Sequence, residues 1–80
     1  MLWLNHKGRI KWRIRALFLA GNKIGLRGLT KLSEILKYFS NLVLLDLRDN
    51  RLEYSAEFVR IVQKFSDNNI TILVGENPGI

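Results

Sequence analysis

The chain has 80 residues, which fits one small domain near the lower limit at which a hydrophobic core alone is stable. Hydrophobic residues make up 48% and charged residues 25%, a balance typical of globular rather than disordered chains. The net charge is +6, and the absence of cysteine excludes disulfides, a cysteine nucleophile and a cysteine-based zinc site. Apolar runs are too short to span a bilayer or to form a signal-peptide core, so we expect a soluble, cytoplasmic protein with no membrane contact.

The N-terminal residues 1–13 carry most of the excess positive charge. Residues 1–15 contain five basic residues and no acidic one. These five residues are Lys7, Arg9, Lys11, Arg13 and Arg15. Ile10 and Trp12 alternate with them at a period of two, which indicates a β-strand, and residues 5–8 suit a tight turn. We therefore predict that residues 1–13 form a basic β-hairpin, or a single strand, that caps the rest of the chain.

The basic residues also support other interpretations of this segment. Residues 7–15 could bind nucleic acid or an acidic partner electrostatically, with Trp3 and Trp12 as stacking surfaces rather than capping residues. Lysine and arginine also protect an edge strand against unwanted pairing. An acid-free N-terminus is typical of mitochondrial presequences as well, although a period of two belongs to a strand and not to a helix.

A pattern of apolar residues and asparagine occurs twice in the chain. The pattern is L-x-x-L-x-L-x-x-N-x-L, and its second copy lies 28 residues after the first. The two copies are Ile14, Leu17, Leu19, Asn22, Ile24 and Leu42, Leu45, Leu47, Asn50, Leu52. Alternate leucines predict a short strand with one buried face. The asparagine follows where the chain must turn, and its amide can bond backbone groups that the turn leaves unpaired.

A helical pattern follows each predicted strand, and Ser55 suits the N-cap of the second helix. One helix face is predicted to contain Leu29, Leu32, Ile35, Leu36 and Phe39. The other is predicted to contain Phe58, Ile61, Val62 and Phe65. A single strand–turn–helix unit cannot bury its own strand. We therefore expect the units to stack, with a parallel sheet on one side and helices on the other.

The C-terminal residues 69–80 contain a partial third copy of the pattern. Ile72, Val74 and Asn77 lie 27 residues after Leu45, Leu47 and Asn50. Terminal repeats are usually atypical, which favours a degenerate third unit. The alternative is an unrelated terminal strand followed by a turn at Asn77-Pro78-Gly79.

Residues 14–80 resemble leucine-rich repeats of the long, helix-containing subclass found in ribonuclease inhibitor, the Ran GTPase-activating protein and NOD-like receptors. Residues 14–25 and 42–52 carry the resemblance, together with Gly28-Leu29-x-x-Leu32 at the first helix. The second helix departs from it, because Ala56 and Glu57 replace the glycine and the leucine. The resemblance implies a short α/β solenoid with the sheet on the concave side and helices on the convex side. Its units are residues 14–41, 42–68 and, in part, 69–80.

The resemblance also implies where a partner binds, because outward strand positions recognise partners in this family. By position these are Ala16, Phe18, Ala20, Leu44, Asp46, Arg48, Thr71, Leu73 and Gly75. Phe18, Leu44 and Leu73 would form an apolar centre, while Asp46 and Arg48, with Glu76, would add polar specificity. We therefore expect a non-catalytic protein-interaction module. The N-terminal segment or a second copy in a homo-oligomer is the alternative cover for this face. A fragment or regulator related to a GTPase-activating leucine-rich-repeat protein is a further alternative, by analogy alone.

The sequence contains no pattern that indicates catalysis. His6 is the only histidine and has no evident carboxylate or nucleophile partner, and there is no G-x-S-x-G pattern. Gly21, Gly25 and Gly28 are not followed by the Lys-Ser/Thr pair of a phosphate-binding loop. The acidic residues lack metal-ligand spacing, so we expect neither an enzyme nor a cofactor or metal site.

Overall fold

The computed structural model describes residues 13–80 of the chain. Three strands alternate with two helices along these residues. The strands are β1 (Ala16–Phe18), β2 (Leu44–Asp46) and β3 (Thr71–Leu73); the helices are α1 (Gly25–Ile35), which continues into a 3₁₀ turn (Leu36–Tyr38), and α2 (Ala56–Asp67). The predicted N-terminal cap lies outside the described residues, except for Arg13.

The three strands form one parallel sheet in the order β1-β2-β3. Leu17 pairs with Leu45, and Leu45 pairs with Ile72. These pairs join residues 28 and 27 positions apart, which are the offsets of the sequence pattern. The structure thus confirms the predicted α/β class and the adjacent, parallel placement of the patterned strands. The first unit (residues 14–41), the middle unit (42–68) and the third unit (69–80) each contribute one strand.

The centre of the core belongs to the middle unit. Leu45 is 1% exposed, and Leu47 and Leu52 are 0% exposed. The corresponding residues of the two flanking units remain partly exposed, although they pack against the same core. These residues are Leu17, Leu19, Ile24, Ile72 and Val74. Within residues 13–80, the middle unit is therefore covered on both sides, whereas each flanking unit is covered on one.

The two helices bury corresponding residues that lie 29 positions apart. Leu29 of α1 and Phe58 of α2 are both buried, while Glu57 is exposed. The departure from the leucine-rich pattern at Ala56 and Glu57 is thus a shift of one residue in the second helix. The shift keeps the buried face continuous from Phe58 to Phe65.

The prediction that Ile35 lies on the core face of the first helix is wrong. Ile35 is 42% exposed, and Ser33 is buried in its place. At about 100° per residue, Ile35 lies about 120° around the helix from Leu29, whereas Ser33 lies about 40° away. The Ser33 hydroxyl is accommodated because it donates a hydrogen bond to the Thr30 carbonyl at 2.6 Å.

The predicted N-cap of α2 is confirmed. The Ser55 hydroxyl oxygen accepts a hydrogen bond from the Phe58 backbone N–H at 3.0 Å. This bond satisfies one of the N–H groups that a helix N-terminus leaves without an intrahelical partner. It fixes the start of the helix that supplies Phe58, Ile61 and Phe65 to the core.

We predict that Ser55→Ala lowers the free energy of unfolding by about 1 kcal/mol, because it removes this cap. Urea denaturation followed by circular dichroism measures the change. Ser66→Ala is the matched control, since Ser66 is exposed near the other end of the same helix and should change stability by less than about 0.5 kcal/mol. Equal effects of the two substitutions would contradict the capping role.

Candidate functional site

Each of the three units turns at the residue before its patterned asparagine. Gly21, Asp49 and Glu76 all have positive φ angles, of 74°, 55° and 61°. Such left-handed residues reverse the direction of the chain after a strand and leave nearby backbone groups without sheet partners. The three turns therefore stack one behind another at the same end of the sheet.

Asn50 satisfies the backbone groups of the first two turns. Its Nδ2 donates hydrogen bonds to the carbonyls of Leu19 and Arg48, at 2.8 and 3.1 Å. Its Oδ1 accepts from the N–H groups of Asn22 and Ile24, at 2.9 and 3.2 Å. Asn50 is 0% exposed, so these four bonds replace the water that the turns exclude.

Asn77 repeats the same arrangement one unit later. Its Oδ1 accepts from the N–H groups of Asn50 and Leu52, at 2.7 and 3.0 Å. Its Nδ2 donates to the carbonyls of Leu47 and Val74, at 3.0 and 2.7 Å. Asn22, Asn50 and Asn77 thus form an asparagine ladder that joins the three units. The sequence predicted bonds to the backbone of the turn but not this link between neighbouring units.

The ladder and the strand register place alternate side chains on the open side of the sheet. Phe18, Asp46 and Leu73 form one row across the three strands. Ala16, Leu44 and Thr71 form a second row. We call these six residues, together with Arg48, the sheet face. It contains all five residues that the sequence analysis assigned to partner binding.

The apolar residues of the sheet face are open to different degrees. Phe18 is 69% exposed, while Leu44 and Leu73 are half-buried. Among residues 13–80, β1 is an edge strand, and a side chain as exposed as Phe18 contributes little to the core. The sheet face therefore presents an apolar side chain that is free for contact.

The sequence predicted an exposed Asp46 on the sheet face, and this prediction is wrong. Asp46 is only 2% exposed. It lies on the central strand, between Phe18 and Leu73 in the register, and Arg48 forms a salt bridge over its carboxylate. Nε of Arg48 donates to Oδ1 at 2.9 Å, and Nη2 donates to Oδ2 at 2.8 Å. The Arg48 backbone N–H also donates to Oδ1, at 3.1 Å. The accessible polar group of this ion pair is therefore the guanidinium of Arg48, whose side chain is 48% exposed.

The ion pair keeps both groups charged. The hydrogen bonds from the Arg48 side chain lower the pKa of Asp46 below its ordinary value of 3.8, against the opposing effect of partial burial. Asp46 in turn raises the pKa of Arg48, with a smaller contribution from Glu76. The spacing of two residues along one strand places both side chains on the same face, and this is the sequence signal that could have identified the pair.

The basic residues of the alternative polyanion site are only partly described. Arg13 and Arg15 are exposed, whereas Lys7, Arg9 and Lys11 lie outside the described residues. The Arg15 carbonyl accepts hydrogen bonds from the N–H groups of Val43 and Leu44 at the start of the sheet. The structure therefore describes two of the five residues of this alternative site, Arg13 and Arg15.

Residues 13–80 contain neither a metal-binding cluster nor a membrane-spanning helix. No three side chains of histidine, cysteine, aspartate or glutamate in this part of the chain are grouped so that they could hold a metal ion. No helix in residues 13–80 is long and apolar enough to cross a membrane. A shallow groove of about 530 Å³ is lined by Leu26, Arg27, Thr30, Lys31, Glu34 and Glu57. Its lining contains both charge signs and no convergent set of reactive groups.

Comparison with known proteins does not assign the chain to a family: no family model matches it, and neither a curated protein nor a solved structure is significantly similar. A functional proposal therefore depends on the geometry of the sheet face and the asparagine ladder.

We predict that Asn50→Ala lowers the free energy of unfolding by about 3 kcal/mol or more, because it leaves several buried backbone groups unsatisfied. Asn22→Ala is the matched control, and its cost should be about 1 kcal/mol, since Asn22 is exposed and water can reach the groups it bonds. Urea denaturation of the two variants measures the difference. Equal costs would show that burial of the ladder does not determine its contribution.

We predict that Asp46→Asn reduces the acid sensitivity of the fold. The lowered pKa of Asp46 means that its ionised form contributes stability above its ordinary value of 3.8, and that this contribution is lost as the pH falls through the lowered folded value. Unfolding free energies measured from neutral pH downwards should therefore fall more steeply in the wild type than in Asp46→Asn. Identical slopes in the two proteins would contradict the contribution of the pair.

Proposed function

We propose that residues 14–80 are a short solenoid of the leucine-rich-repeat type that binds a protein partner through the sheet face, without catalysis. Two observations support the repeat interpretation. The strands pair at the 28- and 27-residue offsets of the sequence pattern. The patterned asparagines make equivalent bonds between neighbouring units, as Asn50 and Asn77 do.

The observation that carries the proposal for binding is the exposure of Phe18 beside a fixed ion pair. Phe18 is 69% exposed and neighbours Asp46 in the register of the sheet. Covering a phenylalanine side chain on association contributes roughly 1.5–3 kcal/mol. Aromatic and arginine side chains are the residues that most often dominate protein–protein binding energy.

Arg48 adds a polar contact whose geometry is already fixed. Its Nε and Nη2 are held by the Asp46 carboxylate. Among residues 13–80, no acceptor bonds its Nη1, which is therefore available to a partner. A guanidinium that is already oriented loses less conformational entropy on binding than a mobile one. The partner that fits this face has an apolar side chain for Phe18 and a carbonyl or carboxylate oxygen for Arg48.

We predict that Phe18→Glu weakens partner binding about tenfold or more, because it places a charge where an apolar contact forms. Tyr54→Glu is the matched control: Tyr54 is 71% exposed, and it lies outside the sheet face. Immobilised wild-type chain is used to retain a protein from an extract of the source organism. The retained protein is then purified and titrated calorimetrically against the three chains.

The proposal requires that the retained protein binds the wild type and Tyr54→Glu equally and Phe18→Glu weakly, while all three chains show the same thermal unfolding. Equal binding by Phe18→Glu would contradict it, and so would loss of folding in that variant, since Phe18 would then be a core residue. An affinity that falls steeply with salt would favour the electrostatic alternative through residues 7–15.

A further inference from the structure

The two ends of the asparagine ladder have complementary hydrogen-bonding groups that residues 13–80 leave unused. Within these residues, no N–H donates to Oδ1 of Asn22, which is the acceptor end. At the other end, no acceptor in the same residues bonds the Asn77 N–H, which is the donor end, whereas Gly79 pairs with Glu53 of the middle unit in an isolated parallel bridge. Inside the ladder, the N–H of Asn22, which is equivalent to that of Asn77, donates to Oδ1 of Asn50 in the next unit.

The apolar side chains at both ends are incompletely covered. Leu19 of the first unit and Val74 of the third are partly exposed, whereas the equivalent Leu47 of the middle unit is 0% exposed. Val59 of α2 is 43% exposed on the helix nearest the third unit, and Val62 is half-buried. A further unit placed against either end would bury these groups in the way that the middle unit is buried.

The sheet is also open at the donor end. Within residues 13–80, β3 pairs with β2 on one side and with no strand on the other. The Thr71 N–H and the carbonyls of Leu73 and Gly75 bond towards β2 and its continuation. Because backbone groups of successive residues point to opposite edges, those of Ile72 and Val74 face the open edge. This edge is suited to accept a parallel strand.

We propose that the chain assembles head to tail, with the first unit of one copy stacked on the third unit of the next. In this contact β1 of one copy pairs with β3 of the other. Oδ1 of Asn22 accepts a hydrogen bond from the Asn77 N–H, and the half-buried apolar residues of both ends cover one another. The proposal shares the stacked-unit architecture of the proposed function, but it rests on the ends of the sheet and not on the sheet face, so self-association and partner binding can fail separately.

A second copy of the chain has the groups that the donor end requires of a binding partner. The donor end requires a strand with two inward apolar residues followed by an asparagine whose Oδ1 is unused. Leu17, Leu19 and Asn22 supply these groups at the spacing that already makes the contact between the first and middle units. Because the two contacting surfaces differ, the contact is heterologous and leaves a free end after each addition.

Analytical ultracentrifugation of the full chain over a wide concentration range tests the proposal. The expected result is a mean mass that continues to rise with concentration beyond that of a dimer. A monomer at every concentration would overturn the proposal. A mass that reaches a plateau at the dimer would overturn it too, since a symmetric contact closes after one addition.

Val74→Lys is designed to block the donor end alone, because a charge pointing inward on an edge strand prevents further pairing. We expect it to weaken self-association about tenfold or more. Val43→Lys is the matched control, since Val43 is 50% exposed and belongs to the middle unit. It should associate as the wild type does. Undiminished association of Val74→Lys would contradict the proposed contact.

A mixing experiment separates a blocked end from a failure to fold. Val74→Lys retains the acceptor end with Asn22, so it can add to a wild-type assembly but cannot extend it. Its addition to the wild type should therefore shorten the assemblies, whereas added Val43→Lys should not. An unfolded chain could not terminate growth in this way. Wild-type assemblies that keep their mass on addition of Val74→Lys would overturn head-to-tail stacking.

Discussion

The fold depends on the buried amide of Asn50. The turns after β1 and β2 leave N–H and carbonyl groups between neighbouring units, where water is excluded, and each such unsatisfied group would cost about 1–3 kcal/mol. One side chain bonds four of these groups. Asn77 does the same for the next pair of units. These bonds hold neighbouring turns against each other, and they keep the strands before the turns in register.

The register in turn decides the chemistry of the sheet face. Successive side chains of a strand point to opposite sides, so a slip of one residue would bring Asp46 into the core and expose Leu45. With the register fixed by the ladder, Leu45 is buried and Phe18, Asp46 and Leu73 form one row on the open side. The salt bridge with Arg48 then lets a carboxylate remain charged in the middle of an apolar row.

The repeated pattern in the sequence predicts which strands pair. It does not predict how deeply an individual side chain is buried by its neighbours. The pairing of Leu17 with Leu45 follows from a 28-residue repeat, because equivalent residues of stacked units must lie side by side. Ile35 was misplaced because apolar spacing alone does not show which residues turn away from the buried side of a helix. The burial of Asp46 could not be predicted from strand alternation, which assigns a side chain to a face but does not show what covers it.

The small number of units links the two proposed surfaces. In the described part of the chain, residues 13–80, the middle unit alone is covered on both sides, so Leu47 is fully buried while Leu19 and Val74 are not. Anything that covers an end therefore stabilises the folded chain by mass action. Stacking β1 of one copy on β3 of the next would extend the row of the sheet face and place Phe18 beside Leu73 of the neighbouring copy. A partner that binds one sheet face weakly would then meet several faces in a line, and its avidity would exceed its affinity for a single chain.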